Sequence, residues 1–529
     1  MSAAGVLMPL PALVPLIGAA LSLAAGRKPR LQRAITLVAL TAALIYLTDR
    51  HGTLALQVGG WGPTSDGLGP LGITLVVDRL SALMLVVSAI VLLAVVFYAI
   101  GQGIRDGDDR QPVSIFLPTY LVLSAGVCIA FLAGDLFNLY VGFEVLLSAS
   151  FVLLTIGASK ERVRAGISYV MVSMVSSLIF LIGLALIYAA TGTLNMAELS
   201  VRLMDVSEGT RGALFAVLLV AFGIKAAVFP LSTWLPDSYP TAPAPVTAVF
   251  AGLLTKVGVY AIIRAHSLLF PGGRLDSVLL VAALLTMLVG ILGAIAQNDI
   301  KRLLSFTLVS HIGYMVFGVA LSSRLGMSGA IFYVAHHIVV QTTLFLVVGL
   351  IERQAGASTL RRLGGLAAAS PVLAFVFIVP ALNLGGIPPF SGFIGKMALL
   401  EAGAQDASVL AWLLVGGSVV TSLLTLYVVS RVWTRAFWRA RIDAPEGTLS
   451  DAIPSALLDE TEHSDDISFD DRDDVGRMPA GMLIPTFCLI AVGLALTVAA
   501  GPIFGYTDRA AAEVLDRSQY LSAVLGVRP

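Results

Sequence analysis

Three lysines lie inside stretches that are otherwise apolar enough to cross a lipid bilayer: Lys225, Lys256 and Lys396. They are half of the six lysines in the chain. A charge at the centre of a transmembrane helix costs about 3 kcal/mol or more, so it is rarely kept without a use. Desolvation lets a buried lysine give up and regain a proton, and it disfavours a stably bound metal cation. The three lysines therefore indicate a path for protons or ions through a membrane.

Prolines interrupt two of these stretches. Five prolines, beginning with Pro230, lie between the first two lysines, and Pro388 and Pro389 stand just before the third. Proline breaks a helix, and a broken helix at membrane depth is tolerated only where it is buried in protein or lines a watery cavity. A second broken helix with a lysine, five spans after the first, indicates an internal inverted repeat.

Two carboxylates fall in the stretch GDLFNLYVGFEVL at 134–146. Asp135 is at the start of a predicted helix and can act as its N-cap. Glu144 lies two to three turns further in, where capping does not explain it. A lone buried carboxylate is expected to be neutral, whereas beside a lysine both groups can be charged. Glu144 is therefore a candidate partner of a buried lysine, and the alternative is a pair that only fixes helix packing.

Three histidines occupy two neighbouring stretches, His311 in the first and the adjacent His336 and His337 in the second. Imidazole changes its protonation state near neutral pH, so three histidines favour a proton relay. A lone histidine in an apolar helix is often only a hydrogen-bonded core residue. Adjacent helical side chains point about 100° apart, so at most one of His336 and His337 is expected to face the same interior as the lysines.

The amino-acid composition indicates that the protein that holds these groups is a membrane protein. The 529 residues are 57% hydrophobic and 12% charged, with a mean hydropathy of +0.91. Soluble domains carry about 25% charged residues. The zero net charge gives no argument for nucleic-acid binding. Cys128 and Cys488 lie in apolar runs without CxxC spacing, which leaves iron–sulfur, zinc and disulfide sites unsupported.

No motif for an energy-converting cofactor is present. The sequence contains no P-loop, HExxH, CxxC or haem motif, and one GxGxxG at 67–72 stands in a proline-containing loop without a strand before it. We therefore expect no cofactor and no metal, and a catalytic enzyme is the least favoured class. The chain must use an ion gradient or be driven by a partner.

Apolar length predicts one helical bundle with fourteen spans. They fall near 4–25, 31–48, 78–100, 112–132, 135–157, 163–190, 212–230, 243–265, 276–296, 302–321, 327–350, 371–400, 408–437 and 481–503. Residues 1–503 are thus predicted to form a single transmembrane bundle, with candidate repeats over 112–265 and 276–437.

The distribution of basic residues orients this bundle. Loops after odd-numbered spans hold 20 of the 33 lysines and arginines, and loops after even-numbered spans hold seven. Because basic loops remain in the cytoplasm, both termini are predicted outside the cell membrane. The segment 443–478 contains twelve acidic residues and is predicted to be a solvated cytoplasmic loop. In the outer-surface tail at 504–529, residues 510–526 can form a short amphipathic helix.

Several long motifs resemble one known family. They are GDLFNLYVGFEVL, FGIKAAVFPLSTWLPDSY, PAPVTAVFAGLLTKVGVYAIIR, DIKRLLSFTLVSHIGY, AHHIVVQTTLFL and GGIPPFSGFIGK. They are similar to the antiporter-like subunits shared by respiratory complex I, membrane-bound hydrogenases and multi-subunit Mrp-type Na⁺/H⁺ antiporters. The resemblance covers about residues 75–500, and the length and tail are most similar to the D group of the Mrp type.

The resemblance implies a fold and a set of site residues. The family fold has fourteen helices, two inverted five-helix repeats and broken seventh and twelfth helices. Its proton-transfer positions match Glu144, Lys225, Lys256, His337 and Lys396, with His311 as a further histidine. In that family a Glu–Lys switch pair loads the path, a central Lys and His carry the proton on, and a terminal Lys releases it. Asp135 and His336 are possible supporting residues.

One departure from the family pattern stands out. Many relatives have a lysine four residues after the second histidine site, where this chain has Gln341. A role for a charge at that position is therefore not expected here, and the rest of the path is unaffected.

The implied function is proton translocation within a monovalent cation (Na⁺)/proton antiporter. Other subunits of the same membrane complex, protons, Na⁺ and the lipid bilayer are the expected partners, with no nucleic acid. One alternative is a proton-pumping subunit of complex I or of a hydrogenase, driven by redox partners. A second, of another class, is a structural scaffold whose lysines only pack.

Overall fold

The structure is a computed structural model that describes residues 7–26, 28–45, 52–58, 72–103, 114–157, 159–273, 275–445 and 478–526. The acidic segment predicted at 443–478 lies almost wholly outside them. Within this part the chain is helical apart from loops and one antiparallel pair of strands, β1 (Leu54–Gln57) and β2 (Thr74–Val77). Ten of its helices are long and apolar enough to cross a membrane, and three shorter ones are also apolar. An all-α, multi-pass membrane protein is confirmed, while the count of fourteen spans stays a prediction.

Most of the described connections between helices are short. In chain order the helices are α1 (Leu10–Ala25), α2 (Pro29–Ile45), α3 (Arg79–Gln102), α4 (Phe116–Leu132), α5 (Leu136–Thr155), α6 (Lys160–Thr191), α7 (Met196–Arg202), α8 (Glu208–Ala226), α9 (Trp234–Ser238), α10 (Ala244–Leu269), α11 (Asp276–Ala296), α12 (Ile300–Ala320), α13 (Arg324–Ala355), α14 (Leu366–Ala369), α15 (Pro371–Gly385), α16 (Ser391–Asp406), α17 (Val409–Trp438), α18 (Ala480–Val498), α19 (Ala500–Leu515) and α20 (Ser518–Leu525). Three short 3₁₀ turns accompany them, at Leu203–Asp205, Tyr239–Thr241 and Arg441–Asp443.

Three helices form the centre of the bundle. The most apolar stretches of α10 and α13 are completely buried and that of α12 is 94% buried, whereas that of α17 is 28% buried. Peripheral helices expose large apolar side chains such as Val409 and Leu423. Lipid tails are as apolar as these side chains, so a belt that would promote aggregation in water is compatible with a bilayer. The candidate lysines and histidines lie on helices that this apolar belt encloses.

Aspartates fix the starts of two helices in the same way. Asp135 is the N-cap of α5, with its side chain accepting hydrogen bonds from two backbone N–H groups of the first turn. Asp299 caps α12, and each aspartate also forms an isolated backbone bridge, Asp135 with Asn195 and Asp299 with Thr359. Asp135 therefore has the capping role that its position predicts. The matching arrangement agrees with an inverted repeat, which stays a prediction.

The chain leaves helical geometry at both proline-containing segments. α8 ends one residue before Ala227, which has a left-handed backbone (φ 58°), and Pro230 follows before α9 begins. α15 ends one residue before Gly386 (φ 79°), and Pro388 and Pro389 lie between it and α16. Proline has no N–H to donate and its ring clashes with the preceding turn, so neither helix can continue. The apolar stretch predicted as one span over 371–400 is thus two helices.

Of the last two helices, α19 packs against α3 and α20 packs against α7 and β1. The buried carboxylate of Glu513 in α19 accepts a hydrogen bond from Arg79 Nη1 at 3.0 Å and another from the hydroxyl of Thr53. Beside them, Asp78 and Arg264 form a buried ion pair with Oδ2 and Nη1 2.5 Å apart. Burial raises the pKa of Asp78, but the Arg264 guanidinium and the hydrogen bonds of Ser81 together outweigh burial and hold that pKa below its usual range. The C-terminal region has two helices where the sequence predicts one, and ionic contacts hold it to the bundle.

Candidate functional site

The structure places the residues predicted from the sequence inside the bundle. Five of them are at most 3% exposed: Lys256, His311, His336, His337 and Lys396. Glu144 and Lys225 are half-buried. The three lysines mark three clusters. Lys225 and Lys396 each lie at a helix break, and Lys256 lies beside a widened turn where another helix crosses.

The first cluster joins α5, α6 and α8. The hydroxyl of Ser177 donates a hydrogen bond to Glu144 Oε1, and Lys225 Nζ donates to Ser177 Oγ at 3.1 Å. Lys225 Nζ also lies 4.8 Å from the centre of the Phe143 ring, close enough for a cation–π contact. Lys225 is the penultimate residue of α8, where the negative end of the helix dipole stabilises a cation. Glu144 and Lys225 are thus brought together, with a serine between them.

A small cavity of about 30 Å³, the share of about one water molecule in the liquid, opens beside Lys225. It extends to Leu254 of α10, and Tyr239 lines it with a buried hydroxyl that has no hydrogen-bond partner in the part of the chain that the structure describes. The carbonyl of Ile224 accepts hydrogen bonds from the backbone N–H of Ala227 and from Trp234 Nε1, both at 3.1 Å. This carbonyl therefore does not need Lys225, whose ammonium contacts the serine and the cavity.

The second cluster surrounds Lys256 in α10. Its Nζ donates to the carbonyl of Ala251 at 2.5 Å, within a π-helical turn at Phe250–Leu254. Such widened turns occur often at functional sites. Gly252 brings this turn against α13, because a Cβ there would lie 2.2 Å from Thr342 Oγ1. The central lysine therefore sits where α10 and α13 approach closely.

The histidines of α12 and α13 face one another. His311 Nδ1 is hydrogen-bonded to Tyr333 OH at 2.8 Å, and its Nε2 lies 3.5 Å from Thr425 Oγ1. The rings of His311 and His337 are 5.2 Å apart, centre to centre. Within the described residues, neither ring nitrogen of His337 has a hydrogen-bond partner. His337 is thus able to exchange a proton on either side.

His336 points to a different neighbour. Its Nδ1 is 3.0 Å from Ser391 Oγ at the start of α16, and Ser391 Oγ is 3.3 Å from Asn383 Oδ1 in α15. Asn383 Oδ1 also accepts a hydrogen bond from Gly392 N at 2.9 Å. The two adjacent histidines point in different directions, but both reach polar groups of the interior, where the sequence predicts at most one: His337 faces His311, and His336 faces the second helix break.

The third cluster is that break. Lys396 Nζ donates to the carbonyls of Leu384 at 3.2 Å and Gly385 at 3.1 Å, the last two residues of α15. It also lies 5.1 Å from the centre of the Tyr314 ring. These carbonyls have no helical partner because the helix ends there. Lys396 supplies that partner itself.

At position 341 this chain has a neutral glutamine, where the family resemblance predicts a lysine in many relatives. Its Nε2 donates to the carbonyl of Leu304 at 2.8 Å, and its Oε1 has no partner in the described part of the chain. This neutral side chain ties α13 to α12 without adding a proton-exchanging group.

Sequence reasoning missed the neutral residues that hold the charged ones. They are Ser177, Tyr333, Asn383, Ser391 and Thr425. Serine and threonine are common in transmembrane helices, so their type and spacing carry no signal until the tertiary neighbours are known. Among the described residues no group of three or more His, Cys, Asp or Glu could hold a metal ion. The clusters are suited to holding and passing protons.

Comparison of the sequence with known families and proteins gives a consistent result. A model of the family described as NADH:quinone oxidoreductase/Mrp antiporter, TM, matches residues 133–425. The D subunit of the Na⁺/H⁺ antiporter from Alkalihalophilus pseudofirmus is 37% identical over 525 residues, which cover 98% of each chain.

Solved structures show the same relationship. A chain in the structure of the Mrp complex from a Dietzia species has a TM-score of 0.85 and 34% identity, covering 99% of this chain and 100% of that one. A chain of respiratory complex I from Thermus thermophilus has a TM-score of 0.77, 24% identity and coverage of 96% and 99%. At that identity the second similarity concerns the fold alone.

Proposed function

Since this chain belongs to the NADH:quinone oxidoreductase/Mrp antiporter family of membrane subunits, we propose that it is the proton-translocating D subunit of a multi-subunit Na⁺/H⁺ antiporter. The observation that carries the proposal is the series of buried clusters around Lys225, Lys256 and Lys396. It is a transporter subunit and not an enzyme. Its partners include other subunits, since the solved relatives are multi-subunit assemblies.

The antiporter role is favoured over a redox-driven pump by the relatives that align over the whole chain. The relatives that are 37% and 32% identical over 525 residues are both named as Na⁺/H⁺ antiporter subunits. The complex I similarity, at 24% identity, supports only the shared fold. By extension Na⁺ and protons are the transported ions, the protein resides in the plasma membrane, and both termini lie outside.

Loading of the path begins at Glu144 and Lys225. The carboxylate holds Lys225 protonated in one state of the protein, through the hydrogen bonds of Ser177. When that association weakens, Lys225 no longer has a nearby negative charge and its proton is easier to lose. The cavity between Lys225 and Leu254 then gives the proton a route toward Lys256.

Transfer continues from Lys256 to the second half. The π-helical turn that holds Lys256 packs against α13 next to Ile338, one residue after His337. His337 accepts the proton, exchanges it with His311 across their 5.2 Å separation, and passes it on to Lys396 with the help of water. Lys396 releases it at the second helix break. His336 and Asp135 support this path by holding α16 and α5 in place.

The test uses inverted membrane vesicles that contain the complete complex and are energised to be acid inside. We expect Na⁺ to collapse the pH gradient with the wild type. For Lys256→Ala we expect a rate lower by about 100-fold, a usual effect of removing a proton-transfer group. Lys160→Ala, at the exposed start of α6, is the control and should behave as wild type.

Two outcomes would overturn the proposal. If the assembled Lys256→Ala complex collapses the gradient at the wild-type rate, the chain is a scaffold. If the wild type does not respond to Na⁺ at all, the redox-driven alternative replaces it.

A further inference from the structure

The side chain of Ser177 differs from most other hydroxyls in the membrane-spanning helices. Thr155, Thr342, Thr425 and Thr486 each donate to the carbonyl four residues earlier in their own helix. That bond satisfies the hydroxyl locally and is the usual arrangement in a membrane helix. Ser177 instead donates to Glu144 on a neighbouring helix and accepts from Lys225 on another. It is the common partner of the two ionisable groups.

Glu144 and Lys225 make no direct ion pair in the structure, although both side chains lie in the described part. The two contacts that connect them both pass through Ser177 Oγ. Ser177 itself is 5% exposed, so bulk water has little access to its hydroxyl. A charged pair held apart by one hydroxyl differs from a contact ion pair, because the hydroxyl can accept one proton while it donates another.

We propose that the hydroxyl of Ser177 is the proton-transfer bridge between Glu144 and Lys225. When Glu144 is protonated and Lys225 is neutral, the carboxyl gives its proton to Ser177 Oγ while the Ser177 hydroxyl gives its own proton to Lys225 Nζ. The products are a carboxylate, an ammonium and an unchanged serine, so protons and charges balance. The reverse step returns the pair to its neutral form.

This bridge rests on the proposed function and refines it. A direct contact between Glu144 and Lys225 would have to be broken before either group could move away. With the bridge, rotation of the Ser177 side chain about χ1 is enough to connect or disconnect the two groups, at the cost of the two hydrogen bonds of its Oγ. The switch at the start of the path is then a side-chain torsion and does not require a helix movement.

The adjacent serine provides a matched control. Ser176 is also buried, and its Oγ donates to the carbonyl of Ala221 at 2.8 Å, which ties α6 to α8. Neighbouring helical positions point about 100° apart, so the two hydroxyls have different partners although they belong to one turn. Ser176→Ala removes the same atom from the same helix and the same interface, without touching Glu144 or Lys225.

The experiment compares four variants of the complete complex in inverted vesicles: Ser177→Ala, Ser177→Thr, Ser176→Ala and Lys256→Ala. We expect Na⁺-driven collapse of the pH gradient to slow by at least about tenfold in Ser177→Ala, below the usual effect of removing a proton-transfer group outright. Ser177→Thr keeps a hydroxyl and should stay within about twofold of the wild type, and Ser176→Ala should do the same. The pH dependence of the rate should shift in Ser177→Ala alone, since only there do Glu144 and Lys225 stop sharing a proton.

Each result decides. If Lys256→Ala is inactive but Ser177→Ala transports at the wild-type rate, the bridge is overturned and the proposed function stands. If Ser177→Thr is as slow as Ser177→Ala, or if Ser176→Ala slows equally, the hydroxyl of Ser177 has no special role. If Lys256→Ala keeps full activity, the proposed function itself fails. Should Ser177→Ala not assemble, Ser177→Val replaces it, because valine has the shape of threonine without the hydroxyl: a slow Ser177→Val beside a fast Ser177→Thr supports the bridge, and equal rates overturn it.

Discussion

The two broken helices solve one problem in opposite ways. Each break leaves backbone carbonyls without helical partners, and each has a lysine nearby. At the first break Trp234 donates to the carbonyl of Ile224, and Lys225 is left to interact with other side chains. At the second break Lys396 itself donates to the two last carbonyls of α15. One lysine is free to respond to a titratable neighbour, and the other is fixed to groups that never change charge.

This difference assigns different tasks to the two sites. The protonation of Lys225 is coupled to Glu144, so a proton arriving at either group affects the other. Lys396 contacts carbonyls and an aromatic ring, and within the described residues no carboxylate forms an ion pair with it. In the proposed path, the first site therefore senses a proton and the second site holds one.

The largest expected effect tests the coupling at the first site. Glu144→Gln keeps the shape of the side chain and removes its charge, so Lys225 should lose the neighbour that keeps it protonated. We expect Na⁺-driven transport to fall by about 100-fold while the complex still assembles. The matched variant is Glu401→Gln, on the exposed face of α16, which should transport as the wild type does.

If Glu144→Gln transports as fast as the wild type, Lys225 does not depend on a neighbouring carboxylate, and the proposed difference between the two lysine sites is wrong. The first lysine would then be held by its helix end and Ser177 alone, as the second is held by carbonyls.

A smaller effect is expected from substituting the residue that follows each broken helix, Gly386 after α15 and Ala227 after α8. Gly386 has φ 79°, and a Cβ there would lie 2.9 Å from Lys396 Cδ, so Gly386→Ala adds both strain and a clash. We expect it to destabilise the complex by about 2 kcal/mol and to slow transport. Ala227 occupies the same place at the first break with φ 58°, and Ala227→Gly should relieve strain and stabilise by up to about 1 kcal/mol.

The thermal midpoint of the purified complex measures both changes. Shifts of opposite sign are expected, downward for Gly386→Ala and upward for Ala227→Gly. If both variants are destabilised, the end of α8 depends on the alanine side chain, and the two breaks are more alike than their contacts indicate.

The smallest effect is expected between the two sites, at Gln341. Gln341→Leu has nearly the same volume and removes the hydrogen bond to Leu304, which is worth about 1 kcal/mol. We expect transport within about twofold of the wild type, because no charge is lost. Vesicle transport and the thermal midpoint can be measured on one preparation. A severe loss of transport would mean that the amide belongs to the path, and the two lysine sites would then be linked differently.

The sequence was sufficient to single out the charged residues of the candidate site. Lys225, Lys256 and Lys396 could be recognised because an ionisable group in an apolar run is costly wherever the helices pack. Glu144 could be recognised because it lies too far into its helix to be a cap. The partners could not be recognised, since the role of Ser177 depends on which helices meet there, and its neighbour Ser176 is the same residue type with a different partner.

For the fold, too, the sequence predicts some features and not others. Apolar length predicts the membrane helices well, but the stretch 371–400 is interrupted at Gly386, and only the prolines indicated this. Arg264 is at the end of the predicted span 243–265, and in the structure it lies inside α10 and pairs with Asp78, which is 186 residues away. A residue at the end of an apolar run can be solvated or paired, and sequence-local patterns do not distinguish the two.

The contact of Glu513 with Arg79 has a consequence for how the protein is made. The two residues are 434 positions apart, so a ribosome that adds about 5–20 residues per second reaches Glu513 roughly 20 to 90 s after Arg79. During that interval α3 is in the membrane with its first turn already capped by Asp78 and Ser81, but without this ion pair. The contact that ties α3 to α19 therefore forms last, after the final helices have been made.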